Sequence, residues 1–326
     1  MFNYSKKEID DLAKLNGFRC ETLEKVLRLI DVLNFINSKE ELAGFLLLKG
    51  GTAINFTVFN LPRLSVDIDL DFSFSGSKEE ILKKRNEITL SLKTYMQINE
   101  YVCTEDSRNY YALDSFVFSY FNKYGNKDHL KVEINYMNRY HIYEPNISDV
   151  NISLLDSFQI YTLNRYELFG SKIKALLERC TIRDVYDVYH MLCEEIFCDQ
   201  EYRYIKKCVI FYMMVGKVDD RSFNELFEDF NIKIDDFLLD KIPQYLSSTL
   251  RLTDRFDMKK AVNGVKVFVN ELLRLSENEY IFIEEFEKGN YIPEILFKDN
   301  NILERIRNHP MALWKISSKK SNSDSK

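Results

Sequence analysis

A double glycine stands shortly before a segment in which aspartate alternates with apolar residues, and this combination constrains the fold most. Residues 47–53 read LLKGGTA, and residues 63–71 read RLSVDIDLD. Because successive side chains of a strand point to opposite faces, Asp67, Asp69 and Asp71 share one face and their apolar neighbours share the other. The pattern predicts a strand with one buried face and one face that concentrates negative charge.

Carboxylates this close together repel one another and raise each other's pKa unless a cation lies between them. Oxygen-rich sites of this kind suit Mg²⁺ or Mn²⁺. We therefore predict a divalent-metal site at Asp67 and Asp69, and we interpret Asp71 as a solvated strand end. An ordinary solvent-facing strand is the alternative interpretation of the alternating pattern.

The glycine pair predicts a tight turn that leads into a short helix over residues 52–59. The N-terminus of such a helix presents backbone N–H groups, and with Gly50, Gly51 and the hydroxyl of Thr52 these would form a site for phosphate oxygens. A plain turn is the alternative for the glycines alone. The motif is not a Walker A loop, because no Gly-Lys-Ser/Thr follows at the required spacing. A phosphate site beside metal-binding carboxylates predicts phosphoryl or nucleotidyl transfer from a nucleoside triphosphate.

Two polar residues precede the aspartate segment, Arg63 and Ser65. We predict that they steady the triphosphate or the glycine loop. Packing and turn formation are the alternative roles for both.

Gly-Gly-Thr followed by Asp-Ile-Asp resembles the signature of the DNA polymerase beta-like nucleotidyltransferase superfamily. Within it, the chain resembles the AbiEii/AbiGii toxin family in four segments between Leu47 and Tyr189. These are Lys-Gly-Gly-Thr-Ala, Leu-Pro-Arg-Leu-Ser-Val-Asp-Ile-Asp-Leu, the stretch from Tyr161 to Leu176, and the stretch from Arg183 to Tyr189. The resemblance implies a Mg²⁺-dependent enzyme that moves a nucleoside monophosphate from a triphosphate to an acceptor and releases pyrophosphate.

The superfamily resemblance also implies a third carboxylate on a neighbouring strand. Residues 130–136 read LKVEINY, and Glu133 lies between apolar neighbours of this alternating segment. We predict that the segment pairs as a hairpin with residues 116–122 and that Glu133 completes the metal site with Asp67 and Asp69. Asp128 and Glu144 are nearby competitors for that role.

For the second half of the match, the resemblance implies that Lys172 contacts the triphosphate and that Asp184 acts as a base or organises the site. Residues 166–179 have helical periodicity, and Lys172 lies near the edge of the apolar stripe. A lysine on a wet helix face and an aspartate that merely caps a helix are the alternatives. Asp184 and Asp187 are three residues apart and share a helix face.

The family resemblance implies a bacterial growth-inhibiting or phage-defence toxin of the abortive-infection kind. Its acceptor would be RNA, at the 3′ end of transfer RNA, and a separately encoded antitoxin would be its partner. One alternative is a non-catalytic module that binds a nucleotide or a partner. Another is a nucleotidyltransferase with a protein or small-molecule acceptor.

The coarse pattern predicts an α+β chain. An N-terminal nucleotidyltransferase domain over residues 1–150, with a mixed β-sheet and flanking helices, precedes an all-helical domain over residues 151–316. The polar stretch 146–156 predicts the linker, and the helical domain would contribute Lys172 and Asp184 to the active-site cleft. Residues 317–326 are serine, lysine, asparagine and aspartate without any apolar side chain, and this composition predicts a disordered tail.

Length and composition are those of an ordinary globular protein. The chain has 326 residues, 45% of them hydrophobic, and a net charge of −6, which disfavours sequence-blind coating of nucleic acid. The longest apolar run, residues 208–215, is too short to span a bilayer, and six cysteines show no disulfide framework. We expect a cytoplasmic protein with no membrane partner.

Overall fold

The alternating aspartate segment forms an inner strand of an eight-stranded mixed sheet in the computed structural model. The structure describes residues 2–150, 152, 157–216, 221–238 and 242–323, with only the backbone described for residues 319–323. The strands are β1 (Leu46–Lys49), β2 (Asp67–Phe72), β3 (Val102–Cys103), β4 (Arg108–Asn109), β5 (Leu113–Phe121), β6 (Lys127–Asn135), β7 (Asn146–Val150) and β8 (Phe158–Thr162).

The sheet has the strand order β3-β5-β6-β2-β1-β8-β7, and β4 pairs with β5. Strand β2 runs antiparallel to β1 and parallel to β6, so the aspartate strand lies between the glycine-turn strand and the strand that carries Glu133. This order places the three sequence segments on adjacent strands.

Four helices accompany the sheet: α1 (Lys6–Asn16), α2 (Cys20–Ser38), α3 (Gly50–Thr57) and α4 (Lys78–Ile98). Local sequence explains their boundaries. Helix α4 begins at a capping box in which the Ser77 hydroxyl accepts a hydrogen bond from the backbone of Glu80 while the Glu80 carboxylate accepts one from the backbone of Ser77. Helix α1 has the same arrangement with Ser5 and Glu8.

The predicted alternation of β2 is confirmed. Ile68, Leu70 and Phe72 are at most 1% exposed, whereas Asp67 and Asp69 are half-buried. The interpretation of Asp71 as a solvated strand end is wrong, because this residue is 2% exposed and its Oδ1 lies 2.5 Å from Lys49 Nζ. Burial raises the pKa of Asp71, and the charge of Lys49 opposes that rise only in part.

The predicted hairpin is also confirmed, since β5 and β6 pair antiparallel along nine residue pairs. The carboxamide oxygen of Asn122 accepts hydrogen bonds from the backbone N–H groups of Tyr124 and Asn126, which closes the turn. Gly125 in this turn has a φ of +86°, a value that glycine adopts without strain.

The predicted linker over residues 146–156 is wrong for its first five residues, which form β7 at the edge of the sheet. The side chains of β7 before Val150 are exposed or half-buried, and the β7 backbone pairs with β8. An edge strand can leave polar side chains in solvent in this way, so its sequence resembles that of a linker. Residues 151 and 153–156 of the predicted linker lie outside the described residues.

The remaining elements are helical, which confirms the α+β class with a mixed sheet followed by helices. The helices are α5 (Arg165–Arg179), α6 (Ile182–Cys193), α7 (Tyr202–Val215), α8 (Phe223–Asp236), α9 (Gln244–Ser247), α10 (Met258–Leu272), α11 (Glu277–Glu287), α12 (Pro293–Leu296), α13 (Asn300–Ile306) and α14 (Pro310–Ser323). No helix in the described part of the chain is long and apolar enough to cross a membrane.

The predicted disordered tail, residues 317–326, departs from the structure at its start, because α14 continues to Ser323. Lysine is a good helix former, and extending an existing helix by a residue is far easier than nucleating one. Residues 324–326 lie outside the described part of the chain.

The chain divides into two compact units. The sheet unit comprises Met1–Arg139, Pro145–Leu163 and Ser247–Asp254, and the helical unit comprises Tyr140–Glu144, Asn164–Leu246 and Arg255–Lys326. The chain thus passes between the units several times. The domain limits 1–150 and 151–316 stay a sequence prediction.

Candidate active site

Strand register brings the charged side chains of three strands onto one face of the sheet unit. Asp69 is paired with Lys49 on β1 and with Glu133 on β6, and Asp67 is paired with Lys131. In a parallel or antiparallel pair, directly opposed residues place their side chains on the same face. Asp67, Asp69 and Glu133 therefore share one face, as predicted, and Lys49 and Lys131 lie on the same face.

The first glycine of the turn lies against the central carboxylate. Gly50 has a φ of +70°, and a Cβ atom built on it would lie 2.6 Å from Oδ2 of Asp69. Real Cβ atoms do not approach that closely, so a side chain at this position would strain the backbone and displace the Asp69 carboxylate. The main chain at the start of α3 and the Asp69 carboxylate consequently lie in direct proximity.

The Thr52 hydroxyl joins the start of α3 to the segment that leads into β2. It donates a hydrogen bond to the main-chain carbonyl of Asp67 and lies 2.9 Å from the Ser65 hydroxyl. Because a hydroxyl has one proton, Ser65 must be the donor in the second contact. Thr52 is 1% exposed, so its hydroxyl fixes the loop on the aspartate strand. The backbone N–H groups of the first turn of α3 are the groups suited to phosphate oxygens.

Arg63 is also part of the scaffold around the loop. It is 3% exposed, its Nη1 donates to the carbonyl of Leu64 at 3.0 Å, and its backbone forms an isolated bridge with Leu250. This bridge holds the 247–254 segment beside the loop within the sheet unit. Contacts of Arg63 and Ser65 with a triphosphate stay predictions.

Glu133 is held by two neighbours on its own face. Its Oε1 lies 2.9 Å from Lys131 Nζ and accepts a hydrogen bond of 2.9 Å from the Ser115 hydroxyl. Burial lowers the pKa of Lys131, but the hydrogen bond and charge of Glu133, followed by the charges of Asp67 and Asp69, raise it by more. The ammonium of Lys131 thus lies in the combined field of all three carboxylates.

The donor set fits a hard divalent cation in its chemistry, since Asp67, Asp69 and Glu133 offer only carboxylate oxygens. The hydrogen bond and charge of Glu133 and the charges of Asp67 and Asp69 favour the protonated form of Lys131 and raise its pKa, so this face carries a negative field. Across the described residues, no three His, Cys, Asp or Glu side chains are grouped closely enough to hold a metal ion as they stand. Because Lys131 and Ser115 engage Glu133, a three-carboxylate site would require Glu133 to exchange these partners for the metal.

Lys172, on α5 of the helical unit, is 6% exposed and lies between two aspartates of α6. Its Nζ is 3.1 Å from Asp184 Oδ1 and 2.8 Å from Asp187 Oδ2, and both aspartates are fully buried. Buried charges of this kind require close partners, because each is costly to remove from water alone. The structure therefore brings Lys172 and Asp184 into direct contact and adds Asp187 to them.

Asp184 accepts three further hydrogen bonds. The Arg179 guanidinium donates two, from Nε at 2.7 Å and from Nη2 at 2.8 Å, and the Thr181 hydroxyl donates one of 2.6 Å. Burial raises the pKa of Asp184, but the charge of Lys172 and the hydrogen bonds and charge of Arg179 lower it by more. The net result is a pKa well below the usual range, so Asp184 is a carboxylate and not a neutral acid near pH 7.

Two charged residues of these clusters were not identified from the sequence, Lys131 and Arg179. A signal for Lys131 exists, because it precedes Glu133 by two positions and must share its strand face. The position of Arg179 at the end of α5 carries no such signal, since its contact with Asp184 depends on how α5 and α6 join. The catalytic roles of Asp67, Asp69, Glu133, Lys172 and Asp184 stay predictions.

Comparison with known proteins identifies a family and a similar fold. A family model described as nucleotidyl transferase AbiEii toxin, type IV TA system, matches residues 32–259. Among solved structures, MenT4, a nucleotidyltransferase toxin from Mycobacterium tuberculosis H37Rv, is similar with a TM-score of 0.65 and 14% sequence identity, over 93% of this chain and 99% of that chain. At this identity the likeness shows a shared fold. No curated protein matches the chain.

Proposed function

The chain belongs to the AbiEii family of nucleotidyl transferase toxins, and we propose that it transfers a nucleoside monophosphate from a triphosphate to RNA, at the 3′ end of transfer RNA. The observation that supports this proposal best is the contact between the Gly50 main chain and the Asp69 carboxylate. It brings a helix N-terminus suited to phosphate beside a carboxylate suited to a divalent cation. Nucleotidyl transfer needs both groups at one place.

In the proposed reaction, a hydroxyl oxygen of the acceptor forms a bond to the α-phosphorus of the triphosphate. The bond from that phosphorus to the bridging oxygen breaks, and pyrophosphate leaves with the electron pair. The hydroxyl proton passes to Glu133, whose carboxylate is accessible beside Asp69. Release of pyrophosphate makes the step a transfer of the monophosphate alone.

Different residues would bind the phosphate oxygens and the metal ion. The backbone N–H groups that follow Gly50 and Gly51 bind phosphate oxygens, while Thr52 keeps this turn fixed on β2. Asp67 and Asp69, with Glu133, would hold Mg²⁺, which supplies positive charge for the phosphate oxygens when bound. Mn²⁺ would serve in the same site, because it accepts the same oxygen ligands.

Lys172 and Asp184 are assigned to the same reaction on the family resemblance. Lys172 would neutralise phosphate charge, and Asp184 would orient Lys172 through the contact between Nζ and Oδ1. Because the pKa of Asp184 lies below its usual range, an organising role fits this residue better than proton transfer. The type IV toxin–antitoxin family also implies a cognate antitoxin as partner.

The test incubates the protein with Mg²⁺, total bacterial RNA and each radiolabelled triphosphate in turn. We expect label on small RNA, with loss of label after treatment that removes the 3′ terminal nucleotides. The matched control is Asp69→Asn, which keeps size and shape and is expected to fold normally and to transfer nothing. Full transfer by Asp69→Asn would remove Asp69 from the mechanism.

The same assay separates the alternatives. Label on protein or on a small molecule, with none on RNA, would refute the RNA acceptor and retain the enzyme class. Binding of triphosphate without release of pyrophosphate, across all acceptors tested, would refute transfer and favour a nucleotide-binding module. Label that appears equally without Mg²⁺ or Mn²⁺, in the presence of a chelator, would refute the metal site.

A further inference from the structure

Lys131 is a charged residue of the carboxylate face that has no role in the proposed reaction. It precedes Glu133 by two positions on β6, and its backbone pairs with that of Asp67 on β2. Its Nζ lies 2.9 Å from Oε1 of Glu133, and its side chain is 43% exposed. A half-exposed ion pair of this kind contributes little to the stability of the fold.

We propose that Lys131 is a positioning residue whose ammonium competes with the divalent cation for the carboxylates of Asp67, Asp69 and Glu133. The inference rests on the proposed function, because it concerns the metal of that same site. One oxygen that would bind the cation, Oε1 of Glu133, contacts the Lys131 ammonium, and Asp67 lies directly across from Lys131 on the neighbouring strand. Oε1 of Glu133 already accepts a hydrogen bond from Ser115 and contacts the Lys131 ammonium, so it cannot bind the ammonium and a metal ion at full strength at the same time.

This competition has a functional consequence. A free divalent cation must displace the ammonium from Glu133 and overcome its positive charge, so it binds weakly. A cation that arrives with a triphosphate comes with negatively charged phosphate oxygens, and these give the displaced ammonium of Lys131 new partners. Lys131 thereby makes the site select the metal–nucleotide complex over the free metal.

The size of the effect follows from Coulomb's law. Removing one positive charge roughly 5 Å from a divalent cation, even at the dielectric constant of water, strengthens cation binding by about tenfold. The pair is half-exposed, so we take this solvent-screened value and not a larger one.

The experiment measures Mn²⁺ binding to the full chain by electron paramagnetic resonance, in which the signal of free Mn²⁺ reports the unbound fraction. K131M and K131Q remove the charge, K131R keeps it, and K127M removes a charge from an exposed position on the same strand. We expect K131M and K131Q to bind Mn²⁺ about tenfold more tightly than the wild-type protein. K131R and K127M should bind like wild type, and Asp69→Asn should abolish the tight binding of K131M.

Unchanged or weaker Mn²⁺ binding by both neutral variants, with wild-type circular dichroism, would overturn the inference. If the wild-type protein still labels RNA in that case, only the role of Lys131 falls and the proposed function stands. Tighter binding by the neutral variants together with no transfer by wild type would support the inference and refute transfer. Absence of Mn²⁺ binding in every protein would overturn both the inference and the metal assignment.

Discussion

Substitution of Gly50 by alanine tests the contact on which the proposed site depends. The added Cβ would lie 2.6 Å from Oδ2 of Asp69, and ordinary contact begins at 3.4 Å, so the carboxylate must retreat by about 0.8 Å. The backbone of Gly50 has a φ of +70°, which costs an alanine about 1–2 kcal/mol. The variant should therefore lose modest stability and a large part of its activity.

The loss of activity can be estimated from the displacement. A misplacement of about 1 Å in a catalytic site reduces the rate by about 100-fold, so we expect Gly50→Ala to lower kcat by about that factor. Gly125 provides the matched control, because it has a φ of +86° and no atom within 4 Å of its added Cβ. Gly125→Ala should lose the same 1–2 kcal/mol and keep its activity.

The assay combines urea denaturation of both variants with transfer of labelled nucleotide at saturating triphosphate. Equal activity in the two variants, either both retained or both lost, would refute the reasoning. Retained activity in Gly50→Ala would mean that the position of Asp69 does not limit transfer. Lost activity in Gly125→Ala would mean that strain alone, without contact with Asp69, disables the protein.

The remaining predictions concern the helical unit. Asp184→Asn should destabilise the protein by about 3 kcal/mol in urea denaturation at pH 7, because it leaves the buried charge of Lys172 with one aspartate fewer. Folding lowers the pKa of Asp184, so its stabilising contribution is present above the unfolded pKa of about 4 and is lost as the pH falls below that value. The difference in unfolding free energy between wild type and Asp184→Asn should therefore narrow below about pH 4. A difference that stays constant with pH would contradict the assignment of this stability to the Asp184 charge. Gly170→Ala should lower stability by about 1–3 kcal/mol although alanine favours helices, because its Cβ would lie 2.4 Å from Cys208 Cβ. Gly264→Ala is the control and should raise the melting temperature, because the nearest atom to its Cβ would be 3.6 Å away. Stabilisation by Gly170→Ala would refute the packing argument.

Much of the sheet unit follows from local sequence. The period-two alternation over residues 66–72 determines which side chains of β2 are buried, and the Asn and Gly residues of the 122–126 turn determine the hairpin of β5 and β6. Ser77 and Glu80 likewise mark the start of α4. These features depend on residues a few positions apart, so a sequence displays them directly.

Contacts between residues that are distant in sequence are harder to predict from the sequence. Asp71 follows the same alternation as Asp67 and Asp69, yet it is buried because Lys49 of β1 lies beside it and neutralises it. The edge strand β7 looks like a linker in sequence, because the polar side chains of an edge strand are compatible with either structure. In both cases the outcome depends on which strand lies next in the sheet.

The glycine turn, the carboxylate strand and the family to which these motifs belong are evident from the sequence alone. The contacts that those groups make depend on the three-dimensional fold. The fold places the Gly50 main chain against Asp69, directs the Thr52 hydroxyl to the β2 backbone and brings the ammonium of Lys131 to the Glu133 carboxylate. The physical reason is that residue types set which interactions are available, whereas strand order and register select the pairs that come within a few ångströms.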